Sequence, residues 1–222
     1  DEFISNAAHQ LRNPMAGVLA LAEAVQSAPN AKAATARSTA LVFAAREASD
    51  LTNRLLSFER ASGADIAASG KVLDLKALVQ EVCDSFTTQH LGQSIALSCD
   101  LPAQKVTIKG DGTMLHEALL NLLMNAIIHG GNTLSKINVE LLIQGHNAAL
   151  TITDNGIGIP ADRHVQAISR FGQAGGGPGS GLGLPIAARV MTNHGGSLEI
   201  LDCVAGTSIK LVLPLSSDPS SK

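Results

Sequence analysis

From Ile4 the apolar positions recur at Ile4, Ala8, Leu11, Met15, Val18, Ala22 and Val25, in alternating steps of four and three residues. This is a heptad seam, the spacing of a helix that packs along another helix. Ser27, Ala28, Pro29 and Asn30 interrupt it, and a second seam runs through Leu41, Ala44, Ala48, Leu51, Leu55 and Phe58. Two seamed helices joined by a short loop predict an antiparallel hairpin. One hairpin covers both seams poorly, whereas two copies make a four-helix bundle, so the pattern predicts a homodimer. The competing arrangement is a hairpin folded onto the rest of its own chain. Residues 62–70 are small and polar and read as a helix end and hinge.

Beyond Gly70 helical and alternating patterns follow one another. Leu75 to Phe86 and Leu115 to His129 read as helices, and a third apolar helical pattern begins at Leu184. Ile95–Asp100, Lys105–Lys109, Lys136–Ile143, Ala148–Asp154, Ser197–Asp202 and Thr207–Pro214 read as strands. Three helices over a mixed sheet make a two-layer α/β sandwich. The expected architecture is therefore a helical hairpin forming a dimeric four-helix bundle, followed by that sandwich. Its expected divisions are 1–66 for the hairpin, 67–73 for the hinge, 74–215 for the α/β domain and 216–222 for a disordered tail. Residues 161–180 include a glycine-rich run at 175–179 and read as a mobile lid, with a plain flexible loop as the alternative.

Composition narrows the class. The 222 residues are 45% hydrophobic and 16% charged, enough to bury real cores, and the net charge is −3 without clustered basic residues. That argues against a nucleic-acid partner, whose affinity rests on phosphate neutralisation. No apolar run approaches the roughly 20 residues that span a bilayer, and no signal peptide is evident. Cys83, Cys99 and Cys203 lack ligand-like spacing and read as reduced core thiols of a cytoplasmic protein. The chain begins inside a helical pattern, as a piece of a longer, membrane-anchored protein could.

Four places carry candidate chemistry. Asn121 and Asn125 sit one turn apart on the Leu115–His129 helix, so their amides point the same way. An amide oxygen suits one position on Mg²⁺, and a buried helix with two structural asparagines has the same pattern. Asp154 ends a strand and is followed by Gly156 and Gly158. A carboxylate there can accept the amine proton of adenine while the glycines let the ring approach, although a simple Asx turn fits as well. Gly179-Ser-Gly181-Leu182-Gly183-Leu184 opens a helix and offers backbone N–H groups to phosphate. No Lys-Ser or Lys-Thr follows these glycines, so this is not a P-loop. Finally, His9 lies off the first seam beside Asn13, and Pro14 removes a helix hydrogen bond next to it.

The three glycine and asparagine blocks, in this order, resemble the ATP-binding domain shared by sensor histidine kinases and gyrase-type, mismatch-repair and chaperone ATPases. The segment Phe3 to Met15, with His9-Gln10-Leu11-Arg12-Asn13-Pro14, resembles the phosphoacceptor box of sensor histidine kinases, and Leu51–Phe58 is similar to that family's second helix. The resemblance implies ATP and Mg²⁺ as cofactors, with adenine against Asp154 and Thr207. It implies Asn125 on Mg²⁺ beside Asn121, phosphates on Gly181, Leu182, Gly183 and Leu184, and His9 as phosphoacceptor. It implies transfer to an aspartate of a response regulator, with Asn13 positioning a water for dephosphorylation. Three positions depart from the family's pattern. Gln10 replaces an acidic neighbour, Ile128 replaces a phosphate-reaching Lys beside His129, and Gln173 replaces a lid Arg, leaving Arg170 as the lid cation. Two other readings stay open: a degenerate kinase acting as a nucleotide- or regulator-docking module, and a gyrase- or chaperone-type ATPase.

Overall fold

A computed structural model of the chain describes residues 2–62, 70–89, 95–169 and 183–216. It divides into two compact units, Asp1–Glu59 and Arg60–Lys222.

The first unit is built on two long helices, α1 (Glu2–Gln26) and α2 (Ala31–Ser62). Pro14 lies inside α1. The Asn30 side chain caps α2 by accepting from the Ala33 N–H at 2.9 Å, which supplies a partner to an N-terminal donor the helix cannot satisfy itself. Arg37 crosses between the helices and donates through Nη1 to the Ala24 carbonyl at 2.6 Å. Ala48 is buried, but Met15, Leu19 and Val42 are 56%, 62% and 52% exposed. The seam residue Met15 is thus left uncovered within a single chain.

In the second unit β1 (Lys71–Asp74) leads directly into α3 (Leu75–Gln89), which Asp74 caps through Oδ1 to the Ala77 N–H. Next come β2 (Ala96–Asp100), β3 (Thr107–Gly110) and α4 (Gly112–His129). Then follow β4 (Lys136–Gln144), β5 (Asn147–Asp154), the short α5 (His164–Ile168), α6 (Gly183–Asn193), β6 (Ser197–Leu201) and β7 (Ser208–Pro214). Five strands form one sheet in the order β2-β4-β5-β7-β6. The β2–β4 pair is parallel and the other pairs are antiparallel.

One face of the sheet is apolar and lies under α3, α4 and α6. Ile137, Val139 and Leu141 of β4, Leu150 and Ile152 of β5 and Ile209 and Leu211 of β7 are buried there. Val79, Val82 and Phe86 of α3, Leu115, Leu119 and Leu122 of α4, and Ile186, Val190 and Met191 of α6 are buried as well. Strand alternation sends the intervening residues to the opposite face. There Ser98, Asn138, Thr153 and Ser208 form a polar row across four strands, joined by a 2.6 Å bond from Ser98 to Asn138 and a 3.0 Å bond between Thr153 and Ser208.

The two-layer sandwich matches the sequence expectation, with two local corrections. The Lys105–Lys109 pattern is displaced to Thr107–Gly110, and it pairs with β1, which the sequence reading did not expect, in a separate two-stranded sheet. The stretch expected to be a lid starts as a 3-10 turn at Ala161–Arg163 followed by α5. The rest of it, 170–180, lies outside the described residues.

Candidate functional site

The site is assembled around the C-terminal half of α4. Asp111 starts that helix by accepting from the N–H groups of Thr113 at 2.9 Å and Met114 at 3.1 Å. The cap is itself held from the far end of α6. His194 Nε2 accepts from the Asp111 N–H at 3.0 Å while Nδ1 donates to the Val190 carbonyl at 2.7 Å. The ring must be neutral to do both. Burial lowers its pKa accordingly, against smaller opposing contributions from its hydrogen bonds and the nearby Asp111. Gly110 makes room for it, since a Cβ there would come within 2.6 Å of the imidazole.

Asn121 and Asn125 are both half-buried on α4. The Asn125 amide lies directly over Gly183, the first residue of α6, and a Cβ at Gly183 would sit 2.5 Å from Nδ2 and 2.6 Å from Oδ1. Two of the three sequence blocks therefore meet here, and only glycine permits the approach. Leu184 is half-buried in the same first turn. His129 is exposed in the last turn of α4, immediately before the Gly130 cap.

The third block closes on the end of that helix. Asp154 is 7% exposed at the end of β5. Its Oδ1 accepts from Gly156 N at 2.8 Å and Thr207 N at 3.3 Å, and its own N–H donates to the Thr207 carbonyl at 2.9 Å. Both backbone donors fall on Oδ1, so Oδ2 is the oxygen left for an incoming donor. The walls are bare backbone. Gly156 lies against Gly130, where a Cβ would come within 2.5 Å of the Gly130 Cα, and Ile157 N donates to the Gly130 carbonyl at 3.0 Å. Gly158 (φ 77°) and Gly206 (φ 76°) adopt left-handed backbone, and a Cβ on either would collide with main-chain atoms. Glycine at each of these positions lets the main-chain segments around Asp154 pack directly on one another.

Asn155 anchors the loop. Its Oδ1 accepts from Ser135 N and Lys136 N, each at 2.9 Å, and its Nδ2 donates to Ser135 Oγ at 2.9 Å. Nearby, His164 pairs through Nε2 with the Ile159 carbonyl at 2.9 Å and faces Asp202 at 3.9 Å. The sequence reading singled out neither Gly130, Asn155 nor Gly206. The Gly206-Thr207 pair just before a strand was the available signal for the last.

The side chains of the other expected site residues are not among those described. His9, Gln10 and Asn13 belong to α1, in the first unit, and their side chains lie outside the described residues. So do Arg170, Gly181 and Leu182. One expectation is corrected: Cys203 is not a core thiol but is exposed in the β6–β7 turn, where Sγ donates to the Gly206 carbonyl at 3.1 Å. Among the described residues no helix is long and apolar enough to cross a membrane.

Comparison with known proteins finds two family matches and several related chains. The family described as "Histidine kinase-, DNA gyrase B-, and HSP90-like ATPase" matches residues 110–217, and the "His Kinase A (phospho-acceptor) domain" matches residues 1–63. The sensor histidine kinase RppB of Synechocystis is 31% identical over 98% of this chain and 50% of its own length. The solved mycobacterial sensor histidine kinase MprB is 30% identical, covering 67% of this chain and 99% of that one, with a TM-score of 0.58. Histidine kinase ThkA, solved in complex with response regulator TrrA, matches 100% of this chain and 63% of its own at 19% identity and a TM-score of 0.77, a likeness of fold. The chain spans about half the length of the curated relatives it matches.

Proposed function

From the premise that this chain belongs to the two-component sensor histidine kinases, we propose that it is a catalytic core that autophosphorylates on His9 and passes the phosphoryl group to a response-regulator aspartate. The observation that carries this reading is the meeting of Asn125 with Gly183 on the helix whose Gly130 end packs against the Asp154 loop. This supports a purine at the Asp154 end and phosphates at the Gly183 end of one helix.

In this reading the exocyclic amine of adenine donates to Asp154 Oδ2, with Thr207 beside it. Backbone N–H groups of Gly181, Leu182, Gly183 and Leu184 and the positive end of α6 receive the phosphates. Asn125, with Asn121, would hold Mg²⁺, which would neutralise phosphate charge, while Arg170 supplies a cation and His129 a ring nitrogen at the edges. The neutral His9 ring attacks the γ-phosphorus, and the bond to the β–γ bridging oxygen breaks as ADP leaves. Positioning and charge neutralisation do most of the work in such transfers. Gln10 orients the ring by accepting a hydrogen bond but cannot take its proton.

The phosphoryl group then moves to a carboxylate of the receiver, a partner supported by the ThkA–TrrA complex. Asn13 positions a water that hydrolyses the regulator's aspartyl phosphate, releasing inorganic phosphate and the free carboxylate. The hairpin at 1–66 pairs with a second copy, and the exposed Met15, Leu19 and Val42 supply apolar surface for that dimer. Residues 67–73 act as the hinge and 74–215 as the ATP-binding domain. Hydrolysis is the weaker reading, because Asn121 stands where gyrase-type enzymes carry a Glu base, and an amide cannot accept the proton of water.

Incubation with γ-labelled ATP and Mg²⁺ distinguishes these readings. Acid-labile label on the chain, lost in His9→Ala, is the expected result. Free phosphate without labelled protein identifies an ATPase. Neither product, with nucleotide still bound, identifies a docking module.

A further inference from the structure

Two of the three cysteines meet. Cys83 lies on the buried face of α3 with Val79, Val82 and Phe86. Cys99 lies on β2, at the edge of the sheet, and pairs with Val139, while its neighbour Leu97 pairs with Ile137. Val139 and Ile137 are both buried, so Cys99 belongs to the helix-covered face that α3 packs against. The two thiols are free, face the same contact between α3 and β2, and lie close enough for each to bear on the other's titration. Neither takes part in the nucleotide chemistry. Among the described residues no group of three His, Cys, Asp or Glu side chains could make them part of a metal site.

We propose that Cys83 and Cys99 are the two halves of a reversible disulfide that fastens α3 to the edge strand of the sheet. The co-reactant is a peroxide. The half-buried Cys99 is the entry point, because Cys83 is closed off from solvent. Its thiolate attacks one peroxide oxygen. An S–O bond forms, the O–O bond breaks, and the departing hydroxide takes up the thiol proton as water. The Cys83 sulfur then attacks the Cys99 sulfenic acid. An S–S bond forms, the S–O bond breaks, and the Cys83 proton leaves with the hydroxide as a second water. Two thiols and one hydrogen peroxide thus give one disulfide and two waters, and two electrons pass from sulfur to oxygen.

Burial raises both thiols above the ordinary cysteine value, and the Asp84 and Asp100 carboxylates push Cys99 further up. Only thiolate reacts, so the pair responds slowly at neutral pH and faster in base. The bond closes the segment 83–99 into a ring and thereby restricts the unfolded chain. Dithiothreitol reverses it by thiol exchange.

The test uses the full chain carrying Cys203→Ser, which removes the exposed thiol. After treatment with hydrogen peroxide, the mass should fall by two hydrogens and a single cross-linked peptide should join 83 to 99. Dithiothreitol should restore the original mass. The melting temperature of the oxidised protein should rise by roughly 5 to 10 °C, and oxidation should accelerate about tenfold per pH unit between pH 7 and 9. With Cys83→Ala added, dimedone should trap a sulfenic acid at Cys99. The proposal is overturned if both thiols still alkylate fully after peroxide, if Cys99 proceeds to sulfinic acid without joining Cys83, or if the only disulfide formed lies between chains.

Discussion

Replacing Asp154 with Asn separates the two tasks assigned to that carboxylate. Oδ1 accepts from the N–H groups of Gly156 and Thr207. An amide oxygen can accept the same two bonds, at a loss of about 1 kcal/mol because they are no longer charge-assisted. The fold should therefore survive. At Oδ2 the acceptor becomes an NH₂ donor facing the donor amine of adenine. Losing a charge-assisted bond costs about 1.5–3 kcal/mol, and the opposed donors add to that. A total of about 2–4 kcal/mol corresponds to roughly 30- to 1000-fold weaker ATP binding. ITP presents an oxygen acceptor at the same ring position, so it should bind the variant no worse than it binds the parent. Titration calorimetry with both nucleotides, alongside a thermal melt, reads these changes. Unchanged ATP affinity in a folded Asp154→Asn chain would refute the reasoning, as would an equal loss of ATP and ITP.

Three further outcomes follow from particular residues. His194 has a lowered pKa when folded and about 6.5 when unfolded, so the unfolded chain takes up the proton first as pH falls. Its contribution is complete above about pH 6.5 and is lost below it, by at most ~1.4 kcal/mol per pH unit. Urea midpoints from pH 8 to 5 should show this fall, and His194→Gln should flatten it. Gln10→Glu should speed autophosphorylation by supplying a base beside His9, and an equal or slower rate in a labelling time course counts against that role. Leu19→Glu should halve the mass seen by light scattering, by placing a charge in apolar surface that a second hairpin covers; an unchanged dimer rejects that face as the interface.

What was legible in the sequence was periodic or local. The heptad steps of Ile4 to Val25 locate α1, and the alternation of Ala148 to Asp154 locates β5 with its terminal carboxylate. The meeting of Asn125 with Gly183 was legible only as three blocks in a familiar order, since 58 positions separate the two residues in the chain. Contacts without such a pattern stayed hidden. Gly206 is one of 21 glycines until β7 brings it under Asp154. His194 looks like an ordinary helix-end residue until the sandwich sets it against the Asp111 cap. Cys83 and Cys99 become a pair only when α3 lies over β2. Strand β1 was missed because Lys71 and Val72 are exposed, and a four-residue strand carries too little alternation to stand out.

Peptide mapping of the phosphoryl group after incubation with ATP and Mg²⁺ tests the central claim most directly. The account predicts one acid-labile phosphate on the imidazole of His9, formed in step with ADP and absent when Asn125→Ala prevents nucleotide binding. A phosphate on any other residue, or ADP released with His9 unmodified, would contradict it.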